Sequence, residues 1–363
     1  MRIADLPTPA LLLDLDRLEA NLQGMADRAR RLGVSLRPHI KTHKCLEIAE
    51  RQRTLGAKGL TVSTLYEARV FAEHGFSDIT WAFPVPLTRL SDAREVAGRA
   101  ALGLVVDTPE AAAALEGLGH PFPVWLKVDC GYHRAGVDPG APTSLELARA
   151  LQASRVLRLA GILSHSGHAY HAPSRGEIAA VAEEERRVMT AFAARLREAG
   201  IPVPRISVGS TPALSVVDKL DGVDEIRPGN YVFYDYTQSV LGSCRVADCA
   251  LTVLASVVSS QPGAHHSVVD AGSLALSKDR GPDFAPQPSM GEVFEDYGRG
   301  LLGKAIRLTS LSQEHGILNA RLPVGERIRI LPNHSCLTTA CFDEYHVVRG
   351  EEVVDRWKIW RGR

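Results

Sequence analysis

The feature that most restricts the fold of this chain is a repeated alternation between two local sequence patterns. Before about residue 240, short runs rich in β-branched residues are each followed by a stretch rich in Ala, Leu, Glu and Arg. Parallel strands need helical crossovers between them, so eight such alternations predict a (β/α)8 barrel. The predicted strands are residues 34–40, 59–62, 78–82, 101–106, 124–128, 157–163, 205–208 and 224–227.

The pattern changes after about residue 240. The strand-like runs are now separated by turn residues, at 250–259, 266–269, 327–331, 345–349 and 353–360. They predict a second, mostly antiparallel β domain.

The ends of the two predicted domains follow from this change. Strand-like residues 10–13 precede a helical pattern and could pair with the second sheet, so we expect a barrel over residues 14–240 and a β domain over 241–363 that includes 1–13. Residues 279–301 are rich in Gly, Pro and Asp, and we expect a long irregular segment there.

Composition restricts the binding partners. Lys+Arg and Asp+Glu both number 42, so no net charge favours nucleic acid or an anionic membrane. The N-terminus lacks the apolar run of a signal peptide, and no apolar segment reaches the ~18 residues of a membrane span. The six cysteines form no CxxC pair and indicate free thiols. We expect a cytoplasmic enzyme that acts on a small molecule and binds neither nucleic acid nor membrane.

Lys41 lies in an unusual basic cluster. The run RPHIKTHK, residues 37–44, has two His, two Lys and one Arg where an apolar strand meets a turn. A lysine that forms a Schiff base needs a rigid position, a lowered pKa and cationic or desolvating neighbours. Lys41 would have all three. A solvated basic turn would have the same sequence, and the spacing alone does not choose between the two interpretations.

Polar clusters also follow the fifth and sixth predicted strands. In DCGYHRAG, residues 129–136, Arg134 lies between glycines and can approach an anionic ligand, although most arginines at strand ends are surface residues. In SHSGHAYH, residues 164–171, the histidines could bind a metal, but loop spacing defines no geometry. We favour a stacking or hydrogen-bonding role for His165.

The last two predicted strands end in glycine-containing turns. In VGSTPA, residues 208–213, Gly209 permits close approach, and Ser210 and Thr211 offer hydroxyl groups. A helix begins there, with a proline in its first turn. The run EIRPGNY, residues 225–231, adds a second turn at Gly229. Either turn alone indicates a cap, but both together predict a phosphate site, which such barrels place after strands 7 and 8.

A candidate metal site lies in the β domain, in the run LPNHSC. His334 and Cys336 are separated by one residue, and on an extended segment their side chains would point to the same side. Imidazole and thiolate together favour Zn²⁺ over hard cations. A buried histidine and a buried free cysteine would show the same spacing, and on spacing alone that interpretation is the more frequent one.

These motifs, in their order and spacing, resemble the D-serine dehydratase / D-threonine aldolase family of alanine-racemase-like, fold-type III enzymes, which use pyridoxal 5′-phosphate (PLP). The resemblance extends over essentially the whole chain, and RPHIKTHK is its most specific motif. It implies that Lys41 holds PLP as a Schiff base and that His334 and Cys336 bind a divalent metal. Zn²⁺ is the expected ion, with Mn²⁺ and Mg²⁺ as alternatives.

The resemblance also implies the other contacts of the cofactor. It places Arg134 near the phenolic oxygen, His165 against the ring and Arg227 at the pyridine nitrogen, with Tyr170 as a further contact. An arginine at that nitrogen would leave it unprotonated and make the ring a weaker electron sink, for which a metal could compensate. The residues implied around the phosphate are Gly209, Ser210, Thr211, Gly229, Asn230 and Tyr231.

The reaction implied by the resemblance is that of a lyase acting on D-β-hydroxy-amino acids. Dehydration of D-serine to pyruvate and ammonia, with Lys41 as the base at Cα, is favoured because a thiolate at the second metal position resembles the zinc dehydratases. The alternatives are D-threonine aldolase, which gives glycine and an aldehyde, and a dehydratase or aldolase of 3-hydroxy-D-aspartate.

Two further classes compete with a lyase. A racemase of this fold would need a second acid/base such as Tyr345, and it would leave the His-Ser-Cys run unexplained. A non-enzymatic PLP-binding protein would be a single barrel without the β domain. A homodimer is also implied by the resemblance.

Overall fold

The computed structural model describes residues 1–363. Its strands are β1 Ala10–Asp14, β2 Ser35–Leu36, β3 Leu60–Val62, β4 Asp78–Pro84, β5 Ala101–Val106, β6 Pro123–Lys127, β7 Arg158–Leu163, β8 Ile206–Val208, β9 Glu225–Ile226, β10 Leu251–Ser259, β11 Ser267–Val269, β12 Gly291–Asp296, β13 Leu301–Leu311, β14 Gly316–Leu318, β15 Arg327–Leu331, β16 Glu344–Arg349 and β17 Glu352–Lys358.

The helices are of two kinds. The α-helices are α1 Leu15–Leu32, α2 Leu46–Thr54, α3 Leu65–Glu73, α4 Leu90–Ala97, α5 Pro109–Gly117, α6 Pro142–Ala153, α7 Arg175–Glu198, α8 Thr211–Val216, α9 Tyr236–Val240, α10 Ser273–Leu276 and α11 Ser335–Thr339. The 3₁₀ helices are Ile3–Asp5, Ile40–Thr42, Leu87–Arg89, Gly167–Tyr170, Asn230–Val232 and Val246–Asp248. None of these helices combines the length and apolar composition that a membrane span requires.

Strands β2 to β9 form one parallel sheet, and each is followed by a helix, α2 to α9. The sheet order is β2-β9-β8-β7-β6-β5-β4-β3, and a parallel bridge between His39 and Thr61 joins its two ends. This confirms the predicted (β/α)8 barrel. The first barrel strand is much shorter than predicted, because Pro38 has no N–H to donate and the chain turns into the 3₁₀ helix Ile40–Thr42.

The remaining nine strands form the second predicted sheet. Six of them close on themselves in the order β10-β11-β14-β13-β12-β15, all antiparallel. Strand β1 pairs with β10, with Ala10 opposite Leu254, and it runs parallel to β16. The mostly antiparallel β domain and the pairing of residues 10–13 with it are therefore confirmed.

The expectation of a long irregular segment over residues 279–301 is wrong in its second half. Strand β12 lies inside this range, where it pairs with β13 and β15. Gly291, at its start, is required by packing, since a Cβ there would lie 2.9 Å from Ile330 Cγ2. Partner strands distant in sequence stabilise β12, and the local Gly and Pro content could not reveal them.

The chain divides into two compact units. One, here called the β unit, comprises Met1–Gly24, Thr42–Glu47 and Asn230–Trp360, and the other, the barrel unit, comprises Met25–Lys41, Ile48–Gly229 and Arg361–Arg363. Compared with the predicted division at residues 14 and 241, the β unit also contains the start of α1, the segment that follows Lys41, and residues 230–240.

Candidate active site

Lys41 lies at the exit of the first barrel strand. The backbone N–H of Arg37 donates to Ile226 O and that of His39 to Pro228 O, both at 2.9 Å, so the segment leading to Lys41 is held against the end of β9. Lys41 itself is exposed, whereas Ile40 before it is completely buried. The side chain of Lys41 is therefore accessible on a backbone that is held firmly.

Four cationic side chains of the barrel unit lie close enough to His165 for their charges to affect it. Burial lowers the pKa of His165 well below its ordinary value, and the charges of Lys41, Arg134, Lys127 and Arg227 lower it further. The imidazole is therefore neutral at neutral pH. Three of the residues predicted from separate motifs, Lys41, Arg134 and Arg227, are brought together here with His165.

The fourth cation, Lys127, was not among the residues predicted from the sequence. It ends β6 and is only 7 % exposed. Burial, followed by the charges of Arg227 and Arg134, lowers its pKa to about 8. The sequence does contain a signal for Lys127, which is its position inside the apolar run PVWLKV. A lysine in a buried strand is rarely left without a counter-charge, so such a residue is a candidate for binding an anion.

Arg227 is held by groups that carry no charge. Its Nη1 donates to Ser207 Oγ and its Nη2 to Ser164 O. Burial lowers the pKa of Arg227, while the more distant Glu225 and Glu185 oppose this effect. The guanidinium group is thus buried without a directly bonded carboxylate.

A buried network fixes Ser207 in turn. Ser207 Oγ donates to Glu225 Oε1 at 2.7 Å, and Glu225 Oε2 accepts from Arg37 Nε at 2.7 Å. Arg37 is 1 % exposed and also pairs with both carboxylate oxygens of Asp78 at 2.7 and 2.8 Å. Because every polar group in this chain of contacts has a partner, the position of Arg227 is well defined.

The turn after β8 has the predicted form. Gly209 has φ +105°, which side chains disfavour, and Ser210 caps α8 by accepting from the N–H of Ala213 at 3.5 Å. Glu185 Oε1 accepts from Gly209 N at 3.3 Å and from Ser164 Oγ at 2.7 Å, which joins the ends of β7 and β8. Thr211 is the first residue of α8 and is buried.

The barrel unit therefore fits a polyanionic aromatic cofactor such as PLP. Lys127 and Arg227 are buried cations with no carboxylate bonded to them directly, and an anionic ligand would offset the cost of burying them. Gly209 leaves the turn after β8 free of a side chain. Tyr170 lies at the end of the 3₁₀ helix Gly167–Tyr170, and Gly229 ends the second continuous segment of this unit.

Asn230 and Tyr231 lie in the β unit. Asn230 Nδ2 donates to Asp235 Oδ2 at 2.6 Å and to Ser335 Oγ at 3.1 Å, and it lies 3.8 Å from Cys336 Sγ. Tyr231 is completely buried. Asn230 therefore contacts the segment that carries the two candidate metal ligands.

His334 and Cys336 do not lie on one extended segment, and that premise of the prediction is wrong. His334 is extended, with φ −140° and ψ 100°, but α11 begins at Ser335, so Cys336 is in its first turn. Asp235 causes this bend because Oδ2 accepts from both the N–H and the hydroxyl of Ser335, at 2.9 and 3.2 Å.

The two side chains nevertheless meet. Burial lowers the pKa of His334, but the charge and the hydrogen bond of Cys336, together with a hydrogen bond to Asp279, raise it well above its ordinary value. Thr42 Oγ1 lies 3.2 Å from Cys336 Sγ. An imidazole and a thiol are thus held side by side.

This pair fits a metal ion with two protein ligands. The structure contains no group of three or more His, Cys, Asp and Glu side chains arranged to hold a metal. Imidazole nitrogen and thiolate sulfur are the donors that Zn²⁺ prefers, and a site with few protein ligands leaves positions for substrate and water.

Two family models match the sequence. The model described as the alanine racemase N-terminal domain matches residues 13–237. The model described as a putative serine dehydratase domain matches residues 250–348. Together they span nearly the whole chain.

Characterised relatives match over the same extent. D-threo-3-hydroxyaspartate dehydratase of Delftia sp. (strain HT23) is 40% identical, and the match covers 98% of this chain and 98% of the relative. D-serine dehydratase of Dictyostelium discoideum is 35% identical, covering 98% and 97%. D-threonine aldolase of an Arthrobacter species is 32% identical, covering 98% and 93%.

Solved structures match equally closely. A D-threo-3-hydroxyaspartate dehydratase in which a cysteine is replaced by alanine, in its metal-free form, has a TM-score of 0.95 and 38% identity and covers 100% of both chains. A second mutant of that enzyme, with a histidine replaced by alanine, has the same TM-score and identity and covers 100% and 97%. The histidine and the cysteine replaced in these mutants are two positions apart, as His334 and Cys336 are.

Proposed function

The chain belongs to the alanine-racemase-like family of D-serine dehydratases and D-threonine aldolases, and on that basis we propose that it is a PLP- and metal-dependent lyase that dehydrates D-β-hydroxy-amino acids. The proposed reaction converts D-serine to pyruvate and ammonia. The observation that carries the choice of dehydration is the thiol of Cys336 beside the imidazole of His334. The His and Cys substitutions studied in the related dehydratase, at the same separation, support it.

Lys41 would hold the cofactor through Nζ. When bound, PLP withdraws electrons from the Cα atom of the attached amino acid. Lys41 Nζ would also accept the proton that leaves the Cα atom of the substrate. Ile40 and Thr42, on either side of Lys41, are completely buried and would hold the residue that carries this amine in place.

The neighbouring cations would bind and orient the cofactor. Arg134 and Lys127 would balance its anionic oxygen atoms, and Arg227 would approach the ring nitrogen. Arg227 stays protonated at neutral pH, since arginine does not lose its proton in proteins, so it would donate a hydrogen bond and leave that nitrogen without a proton. His165, neutral because of its lowered pKa, adds no charge to the cluster.

His334 and Cys336 would hold a divalent ion, for which we propose Zn²⁺. When bound, the ion acts as a Lewis acid toward the β-hydroxyl group that leaves. Thr42 and Asn230 lie beside the sulfur of Cys336, at 3.2 and 3.8 Å, and would hold it in place.

The β unit supports a lyase over the two other classes. Residues 250–348 match the serine dehydratase domain, which a single-barrel binding protein would lack. Tyr345 is completely buried and its hydroxyl donates to His43 O at 2.7 Å, so it does not suit the second acid/base of a racemase. We also propose, from the resemblance and the composition, a cytoplasmic homodimer that binds neither nucleic acid nor membrane.

A second candidate substrate is D-threo-3-hydroxyaspartate. The 40% identity with the Delftia dehydratase favours it, and the same residues would perform the same dehydration. Cleavage of D-threonine to glycine and an aldehyde is the competing reaction, supported by the aldolase that is 32% identical.

Product analysis tests the proposal. The purified protein, supplied with PLP and Zn²⁺, is incubated separately with D-serine, D-threo-3-hydroxyaspartate and D-threonine. We expect a keto acid and ammonia; glycine and an aldehyde as the main products would overturn the choice of dehydration.

Lys41→Ala should lose both turnover and the visible absorption of bound PLP, whereas Lys58→Ala, at an exposed lysine, should retain both. A visible band that persists in Lys41→Ala would remove Lys41 from its role.

A further inference from the structure

Asp279 contacts the candidate metal ligand His334. Its Oδ2 lies 2.8 Å from His334 Nδ1. Because Nδ1 is occupied by this contact, Nε2 is the ring nitrogen that remains for a metal ion. Histidines that bind metals commonly donate their other N–H to a carboxylate, which fixes the tautomer and the orientation of the ring.

The turn that carries Asp279 is shaped to hold its carboxylate. Ser277 has φ +66° and Gly281 has φ +72°, so the backbone is in the left-handed region on both sides of Asp279. The N–H of Asp279 donates to Ser277 Oγ at 3.3 Å, and that of Gly281 donates to Asp279 Oδ1 at 2.9 Å. Both carboxylate oxygens therefore have a partner, Oδ1 in the turn and Oδ2 on His334.

A second contact joins this turn to the ligand segment. Asn333, which precedes His334, donates from Nδ2 to Asp279 O at 2.9 Å and to Ser289 O at 2.7 Å. The backbone carbonyl of Asp279 thus accepts from Asn333, and its carboxylate contacts His334, the next residue in the chain. This arrangement fixes the direction of the imidazole more firmly than a single ion pair would.

We propose that Asp279 is a positioning residue for the metal site, which holds His334 in the tautomer that presents Nε2 to an ion shared with Cys336. This inference rests on the proposed function, since it requires that His334 and Cys336 bind a metal. Loss of such a carboxylate partner typically weakens metal binding about 10- to 100-fold. A carboxylate that only stabilised the turn would affect folding and leave the affinity unchanged.

Three variants separate these two roles. Asp279→Ala removes the acceptor, whereas Asp279→Asn keeps an oxygen that can accept from Nδ1–H but loses the charge. Asp283→Asn makes the same chemical change at an exposed position four residues further along the chain and serves as the control.

The affinity for Zn²⁺ is measured on metal-depleted protein by competition with a chromophoric chelator at fixed pH. We expect Asp279→Ala to bind Zn²⁺ about 10- to 100-fold more weakly, Asp279→Asn to show a smaller loss, and Asp283→Asn to match the unsubstituted protein. Where Asp279→Ala does not fold, Asp279→Asn decides the outcome.

The visible spectrum of the Co²⁺-loaded protein provides a second measurement. The thiolate-to-cobalt band should persist in Asp279→Ala, because Cys336 is unchanged, while the d–d bands shift as the imidazole loses its fixed direction.

An unchanged Zn²⁺ affinity in folded Asp279→Ala would overturn the inference alone. No Zn²⁺ binding by the unsubstituted protein would overturn both the inference and the metal role. Normal Zn²⁺ binding without keto acid formation would overturn the proposed reaction and leave the role of Asp279 intact.

Discussion

At the scale of the residue, Lys127 shows how the fold changes the chemistry of a side chain. Burial, followed by Arg227 and Arg134, lowers its pKa from the ordinary 10.5 to about 8. Below about pH 8 the amine is protonated in both the folded and the unfolded chain, so the full cost of burying the charge is present. Between about pH 8 and 10.5 only the unfolded chain keeps the proton, and the stability of the fold therefore rises with pH.

Lys127→Met should remove this cost in the cofactor-free protein. A shift of this size corresponds to about 3 kcal/mol, so we expect the free energy of unfolding at pH 7 to increase by up to about that amount. The rise in stability above pH 8 should also disappear. Denaturant unfolding measured at several pH values checks both effects, with the exposed Lys58→Met as the control. Equal stability of Lys127→Met and the unsubstituted protein at pH 7 would show that the charge is already compensated.

At the scale of the element, strand β7 depends on one glycine. Gly161 has φ +147°, and a Cβ there would lie 2.1 Å from Arg205 O and 2.9 Å from the ring of Trp125. The N–H of Ile162 donates to the same Arg205 carbonyl at 3.0 Å, which holds the start of β8 close to β7. The pairing of β6 with β7 shifts its register at this point, next to Gly161.

Gly161→Ala should therefore disrupt the barrel. The contact with a backbone carbonyl cannot be relieved by a side-chain rotation, and we expect a loss of about 2–5 kcal/mol in the free energy of unfolding. Gly176→Ala, at the start of α7, is the matched control, because the nearest atom to its Cβ is Ser174 Oγ at 3.9 Å. That change should be neutral or stabilise the protein by up to about 1 kcal/mol. Thermal unfolding of the two variants compares them, and an equally stable Gly161→Ala would contradict this account of β7.

The start of α11 shows that an element boundary can be set from outside the element. The sequence near His334 has no strong helix signal and predicts an extended segment. Asp235, one hundred residues earlier, accepts from the N–H and the hydroxyl of Ser335 and bends the chain into the helix. The contact of His334 with Cys336 therefore depends on this distant carboxylate.

At the scale of the whole molecule, the proposed cofactor and metal ligands lie in different compact units. Lys41, Arg134, His165 and Arg227 belong to the barrel unit. His334 and Cys336, with their partners Asp235 and Asp279, belong to the β unit. Arg227 is hydrogen-bonded to Ser207 and Ser164 within the barrel unit. His334 is hydrogen-bonded to Asp279 within the β unit.

Removal of the metal should consequently affect turnover but not cofactor binding. After treatment with a strong chelator, we expect keto acid formation from D-serine to stop while the visible absorption of bound PLP remains. Zn²⁺ should restore turnover, and Mg²⁺, which avoids thiolate ligands, should not. Metal content, absorbance and keto acid are measured on the same sample. Full activity in a sample free of metal would contradict the role of His334 and Cys336.

The sequence by itself determined the (β/α)8 barrel, the second β domain, and the motifs that carry Lys41, Arg134, His165 and the turn at Gly209. These features depend on periodicity and on residues that are neighbours in the chain, which a sequence displays directly. The pairing of residues 10–13 with the second sheet could also be anticipated, since their strand pattern precedes the barrel.

Only the tertiary structure decided the closed six-stranded arrangement of the β unit, the strand β12 and the surroundings of Lys127, Glu225 and Asp279. Lys127 acquires its lowered pKa from burial and then from the charge of Arg227, one hundred residues away, and Asp279 meets His334 across 55 residues. Strand pairing, burial and electrostatic contact act between residues that are close in space. A linear pattern carries little of that information, because the same short segment takes different conformations with different partners.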